Sequence, residues 1–255
     1  MRRAPWTLLA AAAVCFALTA CSDQLPAPIP EDTASPAPGD PRTQLAAMAA
    51  GAKDLHVVAA YTLKVAGKPD RNVTAMSTAN GDWRLDLTRQ ALGGTVDVAL
   101  LRVGGVLYQC ALPAAGCVRL TRIASAYDPH LQHLFTDWLD VFMDRQAALS
   151  VSIAQALPGV AGTCFAVDSS AVSVSSPVDA GIYCYGPGGM LTGARTKAGS
   201  LILVGNPTPA PPSITLPGAV SPGQPLPNAS PSPSPSPSAS GTPSGKPSVT
   251  PATHA

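Results

Sequence analysis

Between residues 57 and 121 apolar side chains recur at every second position, and each run is closed by turn residues. Val57, Ala59, Tyr61, Leu63 and Val65 alternate with His56, Thr62 and Lys64, and Gly67 to Asp70 supplies a turn. A more polar strand is expected over 72–78, and Asn80-Gly81 is a strong hairpin signal. Trp83, Leu85 and Leu87 then alternate with Asp82, Arg84 and Asp86, which describes a strand wet on one face. Further strands are expected over 95–103, 106–112 and 117–121. Six strands joined this closely must be antiparallel, because a parallel pair needs a crossover of a dozen residues or more.

Helices interrupt the pattern twice. Asp40-Pro41 places an N-cap acid before proline at the first helical position, and Leu45, Met48, Ala49 and Ala52 follow at helical spacing, so a short helix is expected to about Gly51. Asp128-Pro129 repeats the signature. Leu131, Leu134, Phe135, Trp138, Leu139 and Phe142 form a broad apolar stripe opposite His133, Asp137, Asp140 and Asp144, and the spacing predicts one helix ending near Leu149. Strands resume over 163–167, 182–185, 190–196 and 200–204. The order implies an α+β domain: a curved antiparallel sheet, or half-barrel, packed against an N-terminal and a central amphipathic helix.

The flanks differ from the domain. Of the 28 prolines, 15 follow Val204, so the expected boundaries are a globular domain over 41–205 and a disordered Pro/Ser-rich tail over 206–255. Residues 21–40 read as an extended linker. Before them stand Arg2 and Arg3 and an uncharged apolar run too short to span a bilayer, the layout of a secretory signal over 1–20. Removing it leaves 14 basic and 15 acidic residues, no footprint for nucleic acid.

Leu18-Thr19-Ala20-Cys21 resembles the lipobox of bacterial lipoproteins. That resemblance implies cleavage before Cys21, which becomes the acylated first residue with two or three acyl chains, and attachment to the extracytoplasmic face of the cell membrane. Two or more acyl chains hold a protein stably, at about 0.8 kcal/mol per buried methylene. Of the remaining cysteines, Cys15 lies in the signal. Cys110, Cys117, Cys164 and Cys184 form an even set in an exported domain and read as two disulfides, the local pairing Cys110–Cys117 and Cys164–Cys184 being favoured among three.

Behind the lipobox, the helix from Asp40, the strands over 83–87 and 95–112 and the helix from Asp128 together resemble the LolA-like envelope lipoproteins of the LppX and LprG type. Such a resemblance implies a half-open barrel cupping helices, with lipid chains between. Tyr61, Trp83, Tyr108, Leu131, Leu134, Phe135, Trp138 and Phe142 then have two readings: they line a lipid cavity, or they fill the core. The four cysteines and the long tail are not features of that group. The leading expectation is a non-enzymatic lipoprotein that binds a lipid or other apolar ligand, and the alternative is a structural or protein-interaction module of the envelope.

Catalytic signatures are missing: the chain has no G-x-S-x-G, S-x-x-K, H-E-x-x-H or glycine-rich phosphate loop. His130 and His133 stand three apart, and His133 and Asp137 one turn apart, a spacing that can hold a metal. The sequence offers no third ligand, so neither a metal nor another cofactor is expected, and no protein partner is indicated.

Overall fold

The computed structural model describes residues 39–113, 116–170 and 176–229. The expected signal over 1–20, the lipidation site Cys21, almost all of the linker and the tail beyond Ala229 lie outside the described residues. The chain begins with helix α1 (Pro41–Lys53), in which Asp40 accepts a hydrogen bond from the Thr43 amide at 3.1 Å and Pro41 opens the first turn. Strands β1 (Val57–Lys64), β2 (Arg71–Ser77), β3 (Trp83–Ala91), β4 (Val96–Val103), β5 (Val106–Leu112) and β6 (Cys117–Leu120) follow as an antiparallel meander. A 3₁₀ turn (Gln132–Phe135) and helix α2 (Asp137–Met143) lead to β7 (Leu149–Ala154), β8 (Thr163–Ser169), β9 (Gly181–Tyr185), β10 (Leu191–Thr196) and β11 (Gly199–Pro209).

All eleven strands form one antiparallel sheet, ordered β6-β5-β4-β3-β2-β1-β11-β10-β9-β8-β7. Pairing of β11 with β1 joins the two meanders, with Tyr61 opposite Leu203 and Val57 opposite Pro209. The strands flanking α2 in sequence, β6 and β7, are therefore the two edges of the sheet. Alternation sets one face of β1 and β3 toward the main core: Ala59, Tyr61, Leu63, Trp83, Leu85 and Leu87 are buried there with Leu45 and Ala49 of α1. Both disulfides are formed between neighbouring strands, Cys110–Cys117 across β5 and β6 and Cys164–Cys184 across β8 and β9.

The expected long helix from Asp128 is not formed. Asp128 Oδ1 accepts from the His130 amide at 2.7 Å and from Gln132 Nε2 at 2.8 Å, so the acid closes a tight turn instead of capping a helix. His130 sits at φ +62°, and Thr136 at φ −132°, ψ −111° separates the 3₁₀ turn from α2. Arg42 of α1 receives the next bend, donating to the Asp144 and Ala147 carbonyls at 2.5 and 3.2 Å. Freed from the helix, Leu149-Ser-Val-Ser-Ile-Ala pairs with β8 as an unexpected edge strand.

The apolar stripe survives the break, because two short helical pieces keep nearly the same spacing. Leu131, Leu134, Trp138, Leu139 and Phe142 are all buried. Trp138 lies edge-on to Tyr183 at 6.1 Å and stacks on His133 at 5.3 Å. Trp138→Ala is expected to cost about 3–5 kcal/mol in urea denaturation; a loss below about 1 kcal/mol would mean that the indole is not packed as described.

The boundary expected at Gly205 falls inside β11, and the chain continues along the domain as far as Ala229. Ile214 is buried and Leu216 half-buried against Ala99, Leu101, Cys110 and Cys117, on the face of β4–β6 turned away from the main core. Val220 forms a parallel bridge with Cys117. Leu226 exchanges two hydrogen bonds with the buried Gln109 side chain, and the Pro227 and Asn228 carbonyls receive the Leu92 and Gly93 amides at 2.8 and 2.9 Å. Residues 206–229 therefore belong to the domain and not to a disordered tail.

Candidate functional site

Where β1–β3 face the helical insert, the core is incompletely filled. An apolar pocket of about 50 Å³ lies between Ala59, Tyr61, Trp83 and Leu85 of the sheet and Leu134, Phe135 and Leu139 of the insert. Beside it is a cleft of about 630 Å³, lined by the β2–β3 and β4–β5 connections, the segment after β6 and the outer side of α2. Ala52, Ser77, Trp83, Gln132, Phe135 and Leu139 line both. An apolar slot thus adjoins a wider polar cleft.

Charge is distributed along the cleft rather than concentrated. Lys53 pairs with Asp140, Asp82 accepts from the Gly104 amide at 2.8 Å, and Arg102 donates to the Gly81 carbonyl at 2.9 Å. Arg122 also lines this wall. His133 is held at both ring nitrogens. Its Nδ1 lies 2.7 Å from Asp137 Oδ1 and its Nε2 3.1 Å from Asp128 Oδ2.

Burial works against a charge on this imidazole, but the hydrogen bonds to Asp128 and Asp137 outweigh it and push His133 up to about 9. Asp128 shows the same contest: burial would raise it, yet hydrogen bonds from His133, Gln132 and the His130 amide hold it far below the usual carboxylate range. Asp137 is lowered too, its burial outweighed by His133 and Thr136. At neutral pH His133 is therefore an imidazolium between two carboxylates. In that state it has no lone pair with which to act as a general base.

Gln132 completes the network. The residue is 1% exposed, its Nε2 is committed to Asp128, and its Oε1 has no hydrogen-bond partner among the described residues. Asp128, His130 and His133 offer ligand-type atoms that all lie within 4.8 Å of one another. Asp128 is the third such residue that helical spacing did not disclose, because it reaches His133 across a turn.

Four of the eight side chains expected at a cavity line the pocket: Tyr61, Trp83, Leu134 and Phe135. Leu131, Trp138 and Phe142 are instead buried in the main core and do not line the pocket. Tyr108 lies on the opposite face of the sheet with Met76, Leu112 and Leu216, because β5 alternates and its even-numbered residues point away from the helices, while Leu107 packs on the main core. Gln132 and Asp128 were not expected at a site. Their signal was the i, i+4 spacing of an acid and an amide beside Pro129, which reads equally well as a helix cap.

The chain matches no protein-family model, and no curated protein is similar to it.

Proposed function

We propose that the chain is a lipoprotein of the bacterial envelope, anchored through Cys21 on the extracytoplasmic face of the cell membrane, whose domain binds an amphiphilic ligand and catalyses no reaction. On this reading the sheet acts as a half-barrel around α1 and α2, as in the LolA-like lipoproteins the sequence resembles. The observation that carries it is the shared wall of slot and cleft: Trp83, Phe135 and Leu139 offer apolar contact on one side, and charged groups stand within the same opening. Ligand sites combine a mostly apolar lining with a few polar groups in this way.

A second reading, a tethered interaction module, draws on the size of the slot. About 50 Å³ holds only a few water-sized groups, so an acyl chain enters only if α2 and the sheet separate. The two readings part on Leu134, which is 2% exposed and lines the slot. Soluble Cys21→Ala protein should yield stoichiometric lipid on extraction with organic solvent, and Leu134→Trp should lose that lipid while remaining folded. In a core closed for good, the parent yields no lipid and Leu134→Trp costs about 1–3 kcal/mol by overpacking. That pair of results would reject the carrier reading.

A further inference from the structure

The turn between β6 and α2 is built around more than an ion pair. Asp128 Oδ1 is fixed by two N–H donors, the His130 amide at 2.7 Å and Gln132 Nε2 at 2.8 Å, which leaves Oδ2 turned toward His133 Nε2 at 3.1 Å. The other ring nitrogen of His133 is held by Asp137 at 2.7 Å. Each of the two facing atoms is thus oriented from behind by a separate partner. Outer-shell bonding of this kind, with a carboxylate on the far nitrogen of a histidine, is the usual support of a metal ligand. The 3.1 Å gap also suits two ligands of one ion, since atoms about 2.0–2.2 Å from zinc stand roughly 3.0–3.5 Å apart.

His130 supplies the third atom. Its backbone lies at φ +62°, a left-handed conformation uncommon for non-glycine residues, and this turns its ring beside His133 with centroids 6.0 Å apart. The His130 ring makes no hydrogen bond among the described residues. Behind it lies Asp179, whose Oδ2 is buried without a hydrogen-bond partner 3.9 Å from His130 Nδ1, while Oδ1 pairs with Lys197 at 2.7 Å. A salt bridge between Asp128 and His133 explains neither the left-handed turn at His130 nor the orphaned oxygen.

We propose that Asp128, His130 and His133 bind a zinc-class divalent transition-metal ion, with Asp137 and the Gln132 amide as their outer-shell partners. The donor set of two imidazoles and one carboxylate suits zinc, cobalt or nickel and disfavours calcium and magnesium, which prefer oxygen alone. On binding, the ion takes the place of the proton on His133 Nε2, and that proton leaves to bulk water. The inference does not rest on the amphiphile reading.

The test is titration of the untagged protein, freed of metal by dialysis against chelator, with zinc chloride in a calorimeter and with cobalt(II) in a spectrophotometer. One equivalent of zinc should bind with micromolar or tighter affinity, and cobalt should develop the visible bands of a low-coordinate site. His130→Ala should weaken zinc binding by about tenfold or more, and Asp137→Asn by about 10- to 100-fold. The His130 side chain is 36% exposed, so its removal should leave the metal-free melting temperature close to that of the parent and the comparison interpretable. Lack of saturable zinc binding by the parent would overturn the proposal. So would unchanged affinity in His130→Ala, or magnesium and calcium binding as tightly as zinc.

Discussion

Truncation after Gly205 is expected to abolish cooperative folding, whereas truncation after Ala229 is expected to leave the melting midpoint unchanged. The shorter chain loses the end of β11, including the pairs of Val58 with Thr208 and Val57 with Pro209. It also uncovers Ala99, Leu101 and the Cys110–Cys117 disulfide, which Ile214 and Leu216 cover. Burial of one isoleucine or leucine contributes about 1.5–3 kcal/mol. Ile214 is buried and Leu226 half-buried, so together they supply a sizeable part of the roughly 5–15 kcal/mol that holds a domain folded. Beyond that, the buried Gln109 loses both partners at Leu226, and an unsatisfied buried amide costs about 1–3 kcal/mol more. Thermal melts of the two truncations beside the full chain decide the matter. A Gly205 truncation that melts within a few degrees of the parent would show that the segment only lies on the surface.

Why that segment escapes a reading of periodicity follows from how it binds. Residues 210–229 neither coil nor pair in a long ladder; they touch the sheet at single points, Ile214, Val220 and Leu226, between prolines. No period of two or 3.6 can mark a strap of this kind, and its composition is that of a linker. A hint stood elsewhere. Val98-Ala-Leu-Leu101 is apolar without alternation, and a strand buried on both faces needs a cover on each. Val98 and Leu100 belong to the main core, and Ala99 and Leu101 meet the strap.

The six-strand meander and the cysteine pairs were legible because both are local: alternation and short turns fix neighbours in sequence as neighbours in space. The break at Thr136 was not, since the same apolar stripe fits one long helix or two short pieces. What decides between them is distant, the grip of Arg42 on the Asp144 and Ala147 carbonyls and of Asp128 on Gln132. The candidate site shares that dependence. Trp83 and Leu134 were visible as large apolar groups, but the gap between them arises from how the broken insert lies across the sheet.

The contact that seats α1 yields the second large effect. Gly189 follows β9 in a tight turn at φ +84°, and a Cβ there would stand 2.3 Å from the Ala52 amide nitrogen and 2.4 Å from the Met48 carbonyl oxygen. Gly51 answers it from the helix, where a Cβ would come 2.7 Å from the Gly188 carbonyl oxygen. Glycine costs about 1 kcal/mol inside a helix relative to alanine, so its presence at 51 fits a backbone approach that a side chain would block. Gly189→Ala must therefore move α1, whose Leu45 and Ala49 are fully buried, or distort the turn. Left-handed strain of about 1–3 kcal/mol and overpacking of about 1–3 kcal/mol combine to an expected loss of at least about 3 kcal/mol. Gly188→Ala is the matched control. Gly188 also has positive φ, +67°, but nothing lies within 4 Å of its Cβ position, so that variant carries the backbone strain alone. Chemical denaturation of the pair should place Gly189→Ala lower by about 1–3 kcal/mol. Because Ala52 and Gly189 also line the apolar slot, the same variant should weaken any ligand held there, while Gly188→Ala should not. Equal losses from the two substitutions would show that the helix rests on the turn loosely enough to accept a methyl group.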